Sequence, residues 1–371
     1  MPTADTAGTA RHVVGWDVGG AHLKACVLTD GQVSDVAQWP CPLWQGEHHL
    51  ADCLAEARLR WPAAMAGTHA VTMSGEMVDL FADREDGVAR ISAMLDQQLP
   101  GPVRLYAGPG HWVAPARARA DWAAIASANW LATAQHAASL VGTGVLIDIG
   151  STTTDFIALR DGRVPSRSRT DRDRLATGEL VYHGVVRTPL CALARRITLQ
   201  GQPLNVMNEF FATTADVYRL TGELDPAHDQ HASADGADKS LPATRARLAR
   251  MVGCDAREGS DADWLDFAGH WRAAQLDELA GQLRRVAADV TEAAEGATVT
   301  VVAAGCGAFL VPDLLRVSGL WSTERAACPV LDYGRDIAAT RPGAHMGKMA
   351  RWAQVCAPSV AVASLYHLTQ Q

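Results

Sequence analysis

Asp17 and Asp148 each close an apolar run and meet glycine two residues later. They lie in Val13-Val14-Gly15-Trp16-Asp17-Val18-Gly19-Gly20-Ala21-His22-Leu23-Lys24 and in Val145-Leu146-Ile147-Asp148-Ile149-Gly150-Ser151-Thr152-Thr153-Thr154-Asp155. A carboxylate at a strand end can hold a hard cation, and glycine lets backbone amides approach an anion. Two such hairpins facing across a cleft would bring their carboxylates together. At about 6 Å and an effective dielectric of about 20 the pair repels by roughly 3 kcal/mol, so the arrangement calls for a cation. Mg²⁺ with a phosphate fits that need. The plainer alternative is that both aspartates only cap turns; the repetition of the pattern favours the metal and phosphate reading.

Further candidates surround this pair. Gly19, Gly20 and Gly150 free backbone amides as donors, and Ser151, Thr152, Thr153 and Thr154 add hydroxyl donors without charge, although threonine is also a good strand residue. Lys24 either reaches a phosphate or is a solvated side chain of the return strand. In Ser74-Gly75-Glu76-Met77-Val78-Asp79, Glu76 suits a general base or a support for a metal ligand, and equally an acid placed at a helix N-terminus. Ala304-Gly305-Cys306-Gly307 follows an apolar strand, where a nucleotide or phosphate can approach the backbone. His22 and His111 sit in turns and read as structural, and Trp112, Trp122 and Trp130 read as packing residues.

The elements that must position these groups follow from periodicity and turn signals. Residues 12–18, 24–29 and 33–39 read as three strands of a meander, with Asp30-Gly31 at its second corner. Residues 47–60 have helical spacing, 69–73 read as a buried strand, 87–99 as a helix and 103–106 as a short strand. The alanine-rich stretch 121–140 fits one helix, with Trp122, Ile125 and Trp130 on its apolar stripe. The second hairpin then repeats the opening pattern, with 156–159 as its return strand and Asp161-Gly162 as a turn, so a duplicated fold is the economical expectation. Residues 224–240 read as an exposed loop or a connection between helices, 243–251 and 263–294 as helices, 298–303 as a strand and 308–317 as a helix.

Composition narrows the classes. The 371 residues suit two domains, and 48% hydrophobic with 20% charged residues is the profile of a globular chain. A net charge of −8 argues against a nucleic-acid surface. The arginines of Arg167-Ser168-Arg169-Thr170-Asp171-Arg172-Asp173-Arg174 alternate with aspartates and read as a solvated loop. Eight cysteines without a CxxC pair read as buried free thiols of a reducing compartment. With neither an evident secretory signal nor an apolar stretch of bilayer length, the expectation is a cytoplasmic protein without a membrane partner.

Asp17-Val18-Gly19-Gly20 with Lys24, Asp148 through Asp155, and Ala304-Gly305-Cys306-Gly307 resemble the two phosphate motifs and the adenosine motif of the acetate and sugar kinase, Hsp70 and actin superfamily. That resemblance implies an α/β fold of two RNase H-like domains around a central cleft. Residues 12–140 with 345–371 would form the first, and 141–344 the second with a helical insertion. Gly305, Cys306 and Gly307 would line a nucleotide-like pocket. Within the superfamily, Val71 through Asp79, the second hairpin, and Gly178-Glu179-Leu180-Val181-Tyr182-His183-Gly184-Val185-Val186-Arg187-Thr188-Pro189 resemble the hydantoinase and oxoprolinase-related proteins of tetrahydromethanopterin-linked one-carbon transfer.

Those relatives imply a transferase of methylofuran or methanofuran biosynthesis. It would condense an aminomethylfuran diphosphate with the phenol of tyramine or (poly)glutamyl-tyramine and release diphosphate. Mg²⁺ near Asp17 and Asp148 would neutralise the leaving diphosphate, the turn amides and Thr152 to Thr154 would stabilise developing charge, and Glu76 or Asp155 would accept the phenolic proton. Ala21-His22 in the first turn and the reduced Gly305-Cys306-Gly307 motif depart from the kinase pattern and point away from ATP. The alternative that the superfamily implies is an ATP-dependent small-molecule kinase or a hydantoinase-like ATPase. A homo-oligomer is left open.

Overall fold

The computed structural model describes residues 11–293, 299–320 and 328–371. They divide into two compact units, one comprising the residues up to His136 with Gly334–Gln371, the other Ala137–Tyr333. The sequence had suggested divisions after 140 and 344. The first change of unit falls inside the helix Asn129–Val141 and the second just after the strand Val330–Asp332.

In the first unit, β1 (His12–Val18), β2 (His22–Thr29) and β3 (Gln32–Pro40) form an antiparallel meander. Strands β4 (Thr68–Met73) and β5 (Val103–Tyr106) add in parallel beside β1, and β6 (Trp112–Val113) closes the edge. The sheet order is therefore β3-β2-β1-β4-β5-β6. As the central strand, β1 is buried on both faces, which is why its valines and Trp16 leave so little polar alternation. The helix Ala357–Leu368 lies across it so closely that a Cβ on Gly15 would stand 2.0 Å from the Ser359 carbonyl oxygen. Beneath the sheet, Trp16 Nε1 donates to His69 Nδ1 at 3.1 Å, and His69 Nε2 donates to the Met65 carbonyl at 3.1 Å. Both bonds require neutral imidazole with its proton on Nε2.

Burial pulls the pKa of His69, and of His136, down to about 4. Between pH 6.5 and 4 the unfolded chain therefore binds protons at these histidines that the folded chain refuses. Stability rises with pH through that window and is lost as pH falls, by roughly 3 kcal/mol per histidine at the lower end. The urea midpoint should fall steadily from pH 6.5 to 4, and His69→Gln should make that fall shallower by about one proton; an unchanged slope would contradict the neutral assignment.

In the second unit, β7 (Gly144–Ile149), β8 (Thr154–Leu159) and β9 (Leu180–Val181) are antiparallel neighbours. A small hairpin, β10 (Arg196–Leu199) and β11 (Gln202–Asn205), stands apart. Strands β12 (Thr300–Ala304) and β13 (Val330–Asp332) return in parallel beside β7, giving β13-β12-β7-β8-β9. This is the order of the first unit's first five strands: a three-strand meander, then two parallel strands on the side of its first strand. Both units are thus RNase H-like, and the expected duplication is present at the level of topology. Leu276, Leu279 and Leu283 of the long helix Asp261–Ala293 pack with Ile147, Phe156 and Val301. Trp264, Phe267 and Trp271, earlier along the same helix, join Leu248 and Leu190 in a separate core. That second core is the helical insertion.

Several expectations need correction. The predicted helix over 121–140 is two helices, Trp122–Ile125 and Asn129–Val141, broken where Ser127 takes a left-handed φ of 49°. Arg174, read as solvated, is 98% withdrawn from solvent at 2% side-chain exposure and lies in the helix Asp171–Thr177. Residues 224–240 do connect two helices, as expected, and ion pairs hold them: Asp229 pairs with Arg219 and Lys239, and Asp235 with Arg247 and Arg250. Cys26, Cys41, Cys53 and Cys356 are buried thiols, whereas Cys191, Cys254, Cys306 and Cys328 are half-buried. The ends Ala294 and Thr298 of a predicted helix and strand lie outside the described residues, as does the tail 1–10 in which no secretory signal was evident. Among the described residues no helix is long and apolar enough to cross a membrane.

Candidate active site

The first turn is built by the register of β1 and β2. Asp17 stands directly opposite Lys24, and Lys24 Nζ lies 3.7 Å from Asp17 Oδ2. Asp17 is buried, so Lys24 supplies charge balance inside the protein and not merely a solvated end. Gly19 N donates to the His22 carbonyl at 3.0 Å and closes the turn. Ser74 N donates to the Val18 carbonyl at 3.0 Å, which seats the Ser74–Val78 segment along the glycines. A Cβ on Gly20 would stand 2.9 Å from Val78 Cγ1, so a larger residue there would have to displace the Val78 side chain.

Glu76 follows in a 3-10 turn, Gly75–Met77, and is buried. Its Oε1 accepts a hydrogen bond from Ser127 Oγ at 2.8 Å. That bond explains the broken helix: a left-handed backbone at a buried serine is tolerated because it delivers a donor to a buried carboxylate. Ser127→Ala keeps the strain and removes the donor, and should cost about 2 kcal/mol. Ser127→Gly relieves the strain and should recover about 1 kcal/mol of it. Urea unfolding of the two variants checks the order, and equal stabilities would refute it.

The second turn gathers more groups. Asp148 on β7 stands opposite Asp155 on β8, so both carboxylates lie on one face of the hairpin. Arg174 pairs with Asp155 and also approaches Asp171, which balances this second acid. Accepting a proton at Asp155 would dissolve a buried ion pair, so its place is in holding the hairpin. Thr154 is buried and its hydroxyl donates to the His183 carbonyl at 2.6 Å, which makes it a structural bond rather than a donor to an anion. Ser151 and Thr152 lie at the turn, their hydroxyls 3.4 Å apart, and the Thr153 carbonyl accepts from Gly150 N at 2.8 Å.

Backbone direction is set by residues 184–187, part of a segment that the motif reading quoted for its resemblance without giving it a role at the turn. The Gly150 carbonyl accepts from Val185 N at 3.1 Å, and the Ser151 carbonyl accepts from Val186 N at 3.1 Å and Arg187 N at 2.8 Å. No described peptide bond is cis. In a trans peptide the N–H opposes the C=O, so the Ser151 and Thr152 N–H groups both point away from this segment. Among the described residues neither donates to another protein group. Two successive amides aimed the same way form a concave donor pair for an anion. Burial pushes the nearby Arg187 guanidinium below its ordinary range.

The late glycine loop closes on the same place. Ala304 pairs with Asp148 in parallel register, and Gly307 N donates to the Ile149 carbonyl at 2.8 Å. Gly305 has φ +84°, and a Cβ there would stand 2.2 Å from the Ile149 carbonyl oxygen and 2.5 Å from Asp148 Oδ1. Asp148, Gly150, the Ser151–Thr152 amides, Gly305, Cys306 and Gly307 therefore share one end of the second sheet. Among the described residues no three His, Cys, Asp or Glu side chains converge in the manner of an all-protein metal cage. Mg²⁺ needs only one or two carboxylates when a substrate phosphate supplies other oxygens, and Asp148 beside a turn with two amides facing one way fits that mode. A hollow of about 300 Å³ lined by Met207, Phe211, Arg250 and Cys254 belongs to the insertion and contains none of these groups.

Comparison with known proteins adds independent findings. A family model described as hydantoinase/oxoprolinase matches residues 67–322. A (4-{4-[2-(gamma-L-glutamylamino)ethyl]phenoxymethyl}furan-2-yl)methanamine synthase of Methanocaldococcus jannaschii is 28% identical over 338 residues, covering 91% of this chain and 97% of that protein. The synthase of the same name from Methanococcus vannielii is 25% identical over 198 residues, 53% of this chain and 86% of that protein. Among solved structures, a ROK hexokinase from Thermus thermophilus aligns over 97% of this chain and 100% of its own at 17% identity and a TM-score of 0.39.

Proposed function

The chain belongs to the hydantoinase/oxoprolinase family, and from that premise we propose that it is a transferase that makes an aryl ether of the methanofuran type. Its substrates would be an aminomethylfuran diphosphate and the phenol of tyramine or (poly)glutamyl-tyramine, within methylofuran biosynthesis for tetrahydromethanopterin-linked one-carbon metabolism. The observation that carries this reading is the alignment of nearly the whole chain with nearly the whole of a synthase whose named product is a phenoxymethylfuran. Its eight free thiols suit a reducing compartment such as the cytoplasm.

The chemistry is a displacement at the furan methylene carbon. The bond from that carbon to the diphosphate oxygen breaks, its electron pair leaves with diphosphate, and the phenol oxygen forms the new bond. Charge accumulates on the departing oxygens, and the Ser151 and Thr152 amides are the groups suited to receive it. Asp148 would hold Mg²⁺, which would supply neutralisation of the diphosphate. In the first unit Asp17 is balanced by Lys24, and Gly19 and Gly20 would be the glycines at which backbone approaches an anion. Glu76, presented by Ser127, is the carboxylate suited to take the phenolic proton. No step consumes ATP.

The test is to incubate the purified chain with Mg²⁺, the furan diphosphate and either tyramine or γ-glutamyltyramine, without nucleotide. Diphosphate and the coupled ether should form in equal amounts. Failure to form ether, or formation only with ATP hydrolysis, would overturn the reading, the latter in favour of a family ATPase.

A further inference from the structure

We propose that Gln275 is a positioning residue for the second turn, fixing through the Gly184 carbonyl the direction in which the Ser151 and Thr152 amides face. The inference rests on the reading of that turn as the diphosphate cradle.

The turn barely holds itself: its own backbone closure is the bond from Gly150 N to Thr153 O. The two peptide planes that matter are instead set by the amides of Val185, Val186 and Arg187. Gly184 precedes those donors and lies flat on the turn. A Cβ on Gly184 would stand 2.4 Å from both Ser151 C and Thr152 N, the two atoms of the peptide bond whose N–H is to be aimed. Any displacement of Gly184 therefore tilts that plane.

Three side chains converge on the Gly184 carbonyl. Thr188 Oγ1 donates at 3.2 Å, Thr214 Oγ1 at 2.9 Å and Gln275 Nε2 at 3.0 Å. All three residues are buried. Because a carbonyl only accepts, Nε2 must face Gly184, which turns Gln275 Oε1 toward the Tyr218 hydroxyl at 2.7 Å. Tyr218 is buried, which raises its phenol above the ordinary range and keeps it a donor. The side-chain amide is thus fixed at both ends. Thr188 and Thr214 are near the loop in sequence or at the start of a short helix, whereas Gln275 stands on the long helix, 91 residues from Gly184. It is the tie between the rigid body of the unit and the anion-facing peptides.

The experiment uses the full chain labelled with ¹⁵N at serine and threonine, with magnesium pyrophosphate as the probe. Gln275→Leu, of similar volume, removes both bonds; Tyr218→Phe removes only the outer one. Trp264→Phe, which loses a bond to the Ala256 carbonyl in the insertion core, is the control for plain destabilisation. Gln275→Leu should shift the Ser151 and Thr152 amide resonances and weaken pyrophosphate binding by about tenfold or more, as misplacement of binding groups does. Tyr218→Phe should do the same in smaller measure, and Trp264→Phe should lower the melting temperature with both readouts unchanged. Unmoved resonances, or unchanged affinity, in folded Gln275→Leu would overturn the proposal, and Tyr218→Phe decides it in the same way if Gln275→Leu does not fold. If the unaltered chain binds no pyrophosphate, the cradle reading fails, while the amide resonances still decide whether Gln275 sets the turn.

Discussion

Asp148→Asn should reduce diphosphate release from the furan substrate by about a thousandfold or more, with a melting temperature close to that of the unaltered chain. The substitution keeps the shape of the side chain and its ability to accept a hydrogen bond. What it removes is one negative charge beside the amide pair. The buried Arg174 of the same turn is paired with Asp155 and Asp171. The neighbouring acid behaves differently. Asp155→Asn leaves a buried guanidinium short of its counter-ion, and should cost about 3–5 kcal/mol. The two aspartates stand opposite each other in the hairpin, yet one variant should be folded and inactive and the other unfolded or nearly so. Pyrophosphate release and thermal melting, measured on both, separate these outcomes. A folded Asp148→Asn chain with retained turnover would remove Asp148 from the chemistry.

The second large effect is structural. Gly305→Ala puts a side chain on a backbone at φ +84° and a Cβ 2.2 Å from the Ile149 carbonyl oxygen. Left-handed strain accounts for about 1 kcal/mol. The larger part comes from backbone that must move, because Ile149 also receives Gly307 N and cannot yield without breaking that bond. A total loss of about 4 kcal/mol, with loss of activity, is the expected result in urea unfolding. Gly108→Ala provides the contrast. It has φ +112°, but a Cβ there meets nothing within 4 Å, so the cost should stay near the strain alone. Similar losses at the two positions would mean that crowding at Asp148 and Ile149 is not what demands glycine.

The parts of this molecule that were legible in the sequence are those fixed by neighbours along the chain. Alternation, β-branched runs and glycine turns gave both hairpins, because a strand and its return need only local register. The unread parts depend on partners far away in sequence. Alanine propensity favours an unbroken helix over 121–140, but Glu76 needs a donor and Ser127 provides it across 51 positions. Arg174 looked solvated among alternating charges until β8 placed Asp155 against it. The direction of the Ser151 and Thr152 amides was invisible for the same reason: it is decided by residues 184–187, and these by Gln275. Glycines at 150, 305 and 307 could be picked out as permissive positions, but only their neighbours show which carbonyl or carboxylate each one accommodates.

The packing of Gly15 against Ser359 also bears on how the chain is made. Strand β1, His12–Val18, leaves the ribosome more than 300 residues before the helix that covers it, Ala357–Leu368. At roughly 5–20 residues per second, the strand waits between about twenty seconds and more than a minute for its cover. Every residue of the second unit has been synthesised by then. The nascent chain therefore carries an uncovered apolar face until Ala357–Leu368 has been made, and that helix governs whether the first sheet is sealed.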